Sequence, residues 1–307
     1  MSVRSGSGTR LPRRWAGAPG PGALRAVAVA SLLANVGIVL TGGAVRLTGS
    51  GLGCPAWPRC TADSYVVHGE LGVHGVIEFG NRMLTFAVAA VALVTLVVVW
   101  RSMAADALAR RLAVVLAVGV PAQVVLGGLT VLTGLNPWLV AGHLLLSMGM
   151  IAASVWLLHQ VRGRGRGPAG PWPPPPPVRW LVLATYAVTW VVLYLGTMVT
   201  GSGPHAGDID SPRNGLEPAM VSQLHAGAVF LLIGLTFGVL VAVHLTDAPA
   251  GAVRAAHWLL GVELAQGLIG FVQYATDLPI VLVELHLLGA CATTVAATAL
   301  VLSSIRR

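Results

Sequence analysis

The 307 residues are 55% hydrophobic and only 10% charged. A soluble domain carries about a quarter charged residues, so a water-soluble globular protein is excluded and the surrounding solvent is lipid. The net charge of +8 comes wholly from arginine, and the arginines lie in alternate connections between apolar runs, which argues for membrane orientation rather than nucleic-acid binding.

The chain opens with Arg4, Arg10, Arg13 and Arg14 among Gly, Ser and Pro. Arg13-Arg14 ahead of an apolar run has a faint likeness to a twin-arginine signal. The run is long, however, and no clear small-x-small cleavage site ends it. Residues 1–24 are therefore expected to be a disordered cytoplasmic tail.

Runs long enough to cross a bilayer follow at 25–47, 74–100, 112–134, 137–160, 179–200, 221–245, 255–275 and 279–303. Fifteen of the nineteen arginines fall in the tails and the even-numbered connections, which the positive-inside rule assigns to the cytoplasm together with both termini. The expected fold is an all-α polytopic membrane protein whose eight transmembrane helices form two pseudo-symmetric four-helix bundles, 25–160 and 179–303. Between them, 161–178 is a cytoplasmic linker in which Pro173 to Pro177 predict a stiff polyproline II spacer.

The halves repeat. Thr48-Gly49-Ser50-Gly51 ends the first span and Thr200-Gly201-Ser202-Gly203 the fifth. Gln123 and His143 are 20 residues apart, as are Gln266 and His286. Repeats of this kind mark a duplicated membrane fold.

Cys54 and Cys60 flank Pro-Ala-Trp-Pro-Arg in the first external loop, where an oxidising compartment predicts a disulfide, either redox-active or a plain staple. The second span reads His74-Gly-Val-Ile-Glu78-Phe-Gly-Asn81-Arg82. At helical spacing His74, Glu78, Asn81 and Arg82 share a face, and Glu78 and Arg82 are placed for an ion pair. A propionate would be a further partner for Arg82. His143, His225 and His286 lie at similar depth in the fourth, sixth and eighth spans. Each alone reads as an interhelical hydrogen bond. Three at one depth and at repeat positions point to metal or heme, since imidazoles from facing helices hold a b-type heme in a membrane bundle. Cys291 reads as packing.

These features resemble heme A synthase of the bacterial and mitochondrial type. The resemblance spans about residues 25–303. It rests on Gly42-Gly43-Ala44-Val45-Arg46-Leu47-Thr48-Gly49-Ser50-Gly51-Leu52-Gly53-Cys54-Pro55, then Trp57-Pro58-Arg59-Cys60, Glu78-x-x-x-Arg82, Gly127-Gly128-Leu129-Thr130-Val131 before Gly142-His143, and the Leu224-His225 and Leu285-His286 pairs. It implies a plasma-membrane oxidoreductase that converts a porphyrin methyl group of heme O to the formyl group of heme A for terminal cytochrome oxidases. It implies heme b (iron) between His225 and His286, substrate heme iron on His143 with His74, Asn81 and Arg82 as neighbours, and a catalytic role for Glu78. It also implies contact with heme O synthase and oxidase assembly factors and an unidentified electron acceptor, and it leaves a homo-oligomer open. One position departs from the family: Asn81 stands where a histidine is usual before the arginine, and Asn is a poor iron ligand. Two other functions compete: a b-type membrane cytochrome between quinol and an external acceptor, and a transporter built on the repeat.

Overall fold

The computed structural model describes residues 18–163 and 174–304. Among these residues it contains eight long helices and no strand: α1 (Pro21–Leu47), α2 (Gly72–Arg101), α3 (Ala107–Leu132), α4 (Pro137–Gly163), α5 (Pro176–Ser202), α6 (Pro218–Leu245), α7 (Ala250–Ala275) and α8 (Ile280–Ser304). All eight are long and apolar enough to cross a membrane. Large apolar side chains such as Phe86, Phe230, Phe271 and Trp258 stay exposed, as they do where the solvent is hydrocarbon.

The helices begin and end within five residues of the predicted spans. The largest differences are the starts of α3 and α7. Each opens with a short Ala-rich segment, set off from the long apolar run by Arg110 and Arg111 in α3 and by Arg254 in α7. Asp106 caps α3 by accepting from Ala109 N at 2.7 Å. Residues 1–17 of the expected tail, part of the linker (164–173) and the final arginines lie outside the described residues. The tail expectation ends early, because Pro21 already starts α1. The polyproline expectation is also corrected at its end: Pro176 and Pro177 form the first turn of α5. Proline fits there because a first-turn residue has no intrahelical N–H bond to lose.

Each half closes on itself, α1–α2–α3–α4 and α5–α6–α7–α8, with the first helix packed on the last. The halves meet through α4 with α8, α1 with α8, and α4 with α5. Exchanging α1 with α5 and α4 with α8 maps this interface onto itself, as a pseudo-two-fold requires. Between the halves lie Val39, Met148, Ile151 and Cys291, so Cys291 is indeed a packing residue. Each half also has a dry apolar core towards the end that carries Arg101, Arg110 and Arg254, the arginine end. The opposite end carries the cysteine loop and is the disulfide end.

The two Thr-Gly-Ser-Gly segments differ. Gly49 takes φ +66° and stops the first helix, whereas α5 runs on through Ser202. The connection after α1 is accordingly the longer one. Arg46, at the end of α1, ties the halves together by donating to the carbonyls of His205 (2.6 Å) and Thr200 (2.9 Å).

Candidate functional site

His143 and His286 each stand six residues after the first residue of α4 and α8, and His225 seven after that of α6. All three therefore lie about 10 Å in from the disulfide end. They sit away from the packed cores, where small residues open the bundle. A β-carbon at Gly196 would come 3.3 Å from His225 Cε1, one at Gly270 3.3 Å from His286 Cε1, and one at Gly127 3.2 Å from His143 Cε1. Each imidazole is thus seated on a glycine of a neighbouring helix. Gly127 and Gly270 are 143 residues apart, the same offset as His143 and His286. Nδ1 of all three rings is buried without a hydrogen-bond partner.

His225 and His286 are brought together, with ring centroids 6.4 Å apart and planes at 73°. A metal bound to two imidazoles sits about 2 Å from each nitrogen, and a ring centroid lies about 1.1 Å behind that nitrogen. An iron between opposed rings then needs about 6.2 Å between centroids. The centroid spacing of the pair matches that requirement. Among the described residues no group of three or more His, Cys, Asp or Glu forms a metal-binding cluster.

The first half is built differently. Asn81 Oδ1 accepts from Thr41 Oγ1 at 2.7 Å. His74 is exposed, and its Nδ1 is 2.9 Å from Ser50 Oγ. Neither hydrogen-bonds to His143; Gly127 seats its ring and Gln123 donates to its main-chain oxygen.

Glu78 and Arg82 form the ion pair that their spacing predicts. Glu78 is 5% exposed, and its Oε2 also accepts from Cys54 N at 2.6 Å. Arg82 donates to Glu78 Oε1, Cys54 O (2.8 Å), Ala56 O (3.0 Å) and Arg59 O (2.9 Å). Its five N–H groups are thereby committed within the chain. The guanidinium anchors the first loop. Cys54 and Cys60 are disulfide-bonded and buried. Trp57, between them, seats its indole on Gly128, where a β-carbon would collide with it at 2.4 Å. Adjacent glycines of α3 therefore carry His143 and the loop tryptophan.

Reading the sequence misses the glycine seats, although their shared offset of 143 was available as a signal. It also misses Glu263, an acid in the middle of α7. His244 and His257 pack edge to face at the arginine end, 5.5 Å between centroids, each with Nδ1 at its own helix's backbone carbonyl.

Comparison with known proteins matches residues 25–207 to the COX15-CtaA family, described as cytochrome oxidase assembly protein. Similar proteins include the heme A synthase of Bradyrhizobium sp. strain ORS 278, 28% identical over 311 residues and covering 84% of both chains. That of Bradyrhizobium sp. strain BTAi1 is 29% identical over 316 residues, again with 84% of both covered. The heme A synthase of Lysinibacillus sphaericus is 29% identical over 179 residues, 57% of both.

Proposed function

The chain belongs to the COX15-CtaA family of cytochrome oxidase assembly proteins, and we propose that it acts as a heme A synthase, an oxidoreductase converting a porphyrin methyl group of heme O to the formyl group of heme A. The observation that carries the site assignment is the 6.4 Å spacing of the His225 and His286 rings. In this reading the second half (179–303) holds heme b between these two histidines and the first half (25–160) holds the substrate heme. Oxidising a methyl to a formyl group removes several electrons, and the heme b would supply the outlet for them.

The chain's own residues do the rest. Gly196 and Gly270 leave room for the two imidazoles, and Gln266 fixes the turn that bears His286 by donating to its carbonyl. In the first half His143 is the iron ligand, alone, because Asn81 is held by Thr41 and His74 by Ser50. Glu78 would receive a proton or stabilise positive charge at the reacting carbon. Because it also holds Cys54 N, the acid and the disulfide form one rigid unit beside this site. Trp57 closes over α3 next to the seat of His143. The disulfide end faces the outside of the plasma membrane and both termini face the cytoplasm, in keeping with the arginine distribution. Contacts with heme O synthase and assembly factors belong to the same reading.

A b-type cytochrome with two complete histidine pairs is disfavoured, since the first half offers no second imidazole to His143. The experiment that tests the site is the visible and EPR spectrum of purified His225→Ala and His286→Ala. Each should lose the low-spin heme b signal. Retention of that signal in both would contradict the assignment.

A further inference from the structure

Glu263 lies in the middle of α7 at 3% exposure. Its Oε1 accepts from Thr236 Oγ1 of α6 at 2.8 Å, while Oε2 is buried without a partner. Among the described residues no cationic side chain pairs with either oxygen. An ionisable group in the hydrocarbon region is costly and rarely idle.

Its position relates it to the histidine pair. Residues 263, 266 and 270 lie on one helical stripe. Gln266 bonds the carbonyl of His286 and Gly270 seats its ring, so Glu263 continues the stripe that supports the site, about 10 Å from Gly270 along the axis. Towards the arginine end the way is closed by Val239, Val243, Ala256, Leu259, Ala297 and Leu300, none more than 1% exposed. Proton uptake at Glu263 would accordingly have to come from the histidine side. The first half has no such pair: the offset of 143 between His143 and His286 places Val120 at the position of Glu263, and the offset of 144 between Asn81 and His225 places Ala92 at that of Thr236, both buried and apolar. The acid is confined to the half with two facing histidines.

We infer that Glu263 is a redox-linked proton acceptor for a heme held by His225 and His286. The inference rests on that ligation. In the oxidised state the positive charge of the ferric heme stabilises an unpaired carboxylate on Glu263. On reduction one electron goes to the iron and that charge is lost. One proton from solvent then forms an O–H bond at Oε2, and no other bond changes; reoxidation reverses both transfers. In a low dielectric the interaction persists over such a distance. The other ionisable side chains on the packed elements are His225 and His244 on α6, Arg254, His257 and Tyr274 on α7, and Glu284, His286 and Cys291 on α8. None of them hydrogen-bonds to Glu263.

The test is a mediator-dye redox titration of the low-spin heme in the purified protein across pH. One proton per electron gives a slope approaching about 59 mV per pH unit. The wild type should show such an interval, and Glu263→Gln should flatten it while keeping the low-spin spectrum. An unchanged slope in a heme-replete Glu263→Gln, or a flat wild type, overturns the inference. Should that variant not assemble, infrared difference spectra of the wild type decide. A protonated-carboxyl band should appear on reduction and shift in Thr236→Val; no band, or an unshifted one, overturns it. A wild type without any low-spin heme would instead contradict the His225–His286 ligation.

Discussion

Gln266 Nε2 donates to the main-chain oxygen of His286 at 2.7 Å, and Gln123 Nε2 does the same to His143 at 3.2 Å. The repeated spacing of 20 residues thus has a physical cause. In each half the glutamine on the third helix fixes the height of the turn that bears the histidine on the fourth. It does so through the backbone, which leaves the imidazole free.

That bond is testable by two independent substitutions. Gln266→Leu removes it. Gly289→Ala should remove it too, because a β-carbon there would stand 2.0 Å from Gln266 Nε2. One such bond is worth about 1 kcal/mol, so each variant should hold its heme roughly fivefold less tightly. The double variant should be no worse than either single one. Heme dissociation from purified protein measures this, and additive losses would show that the two changes act separately.

The glycine seats make a second prediction. Gly196→Ala and Gly270→Ala should tilt His225 and His286 and so shift the EPR signal of the low-spin heme. Gly127→Ala should leave that signal alone and lower heme A yield. Indifference of the signal to both Gly196→Ala and Gly270→Ala would mean that the glycines do not set the rings.

The ion pair at Glu78 gives a third. Glu78→Gln should retain heme b and lose heme A formation. It also weakens a charged hydrogen-bond set that holds the loop, at a cost on the order of 2 kcal/mol. The Cys54–Cys60 disulfide should then yield to less reductant than in the wild type, as it should in Arg82→Gln. Thiol labelling after graded reduction reads this. Normal heme A yield from Glu78→Gln would remove its catalytic role.

A fourth prediction separates two histidines of the first half. His143→Ala should abolish conversion of heme O. His74→Ala, which breaks only a contact with Ser50, should keep most of it. Equal losses would favour a paired site, and full activity of His143→Ala would move the substrate elsewhere.

The eight spans were legible because each needs a long apolar run, and the histidine depth followed from counting residues along them. The disulfide was legible from its compartment. Less could be read of what holds the site. The role of Gln266 needed the register of α7 against α8. The seats at Gly127, Gly196 and Gly270 depend on which helices face each other. The hold of Arg82 on the first loop was not legible, because a sequence does not show that the loop folds back onto the guanidinium. Arg46 was legible as a motif residue, but its carbonyl partners at Thr200 and His205 lie across the half-to-half interface. Pro176 and Pro177 misled through composition, since the same residues that stiffen a linker also open a helix.

The measurement that tests the central claim most directly is the pigment itself. The protein is produced in cells that supply heme O, purified, and its hemes are extracted and separated. The account predicts heme A and heme O beside heme b, with heme A lost in His143→Ala and Glu78→Gln. Heme b alone, in wild-type protein with heme O available, would contradict it.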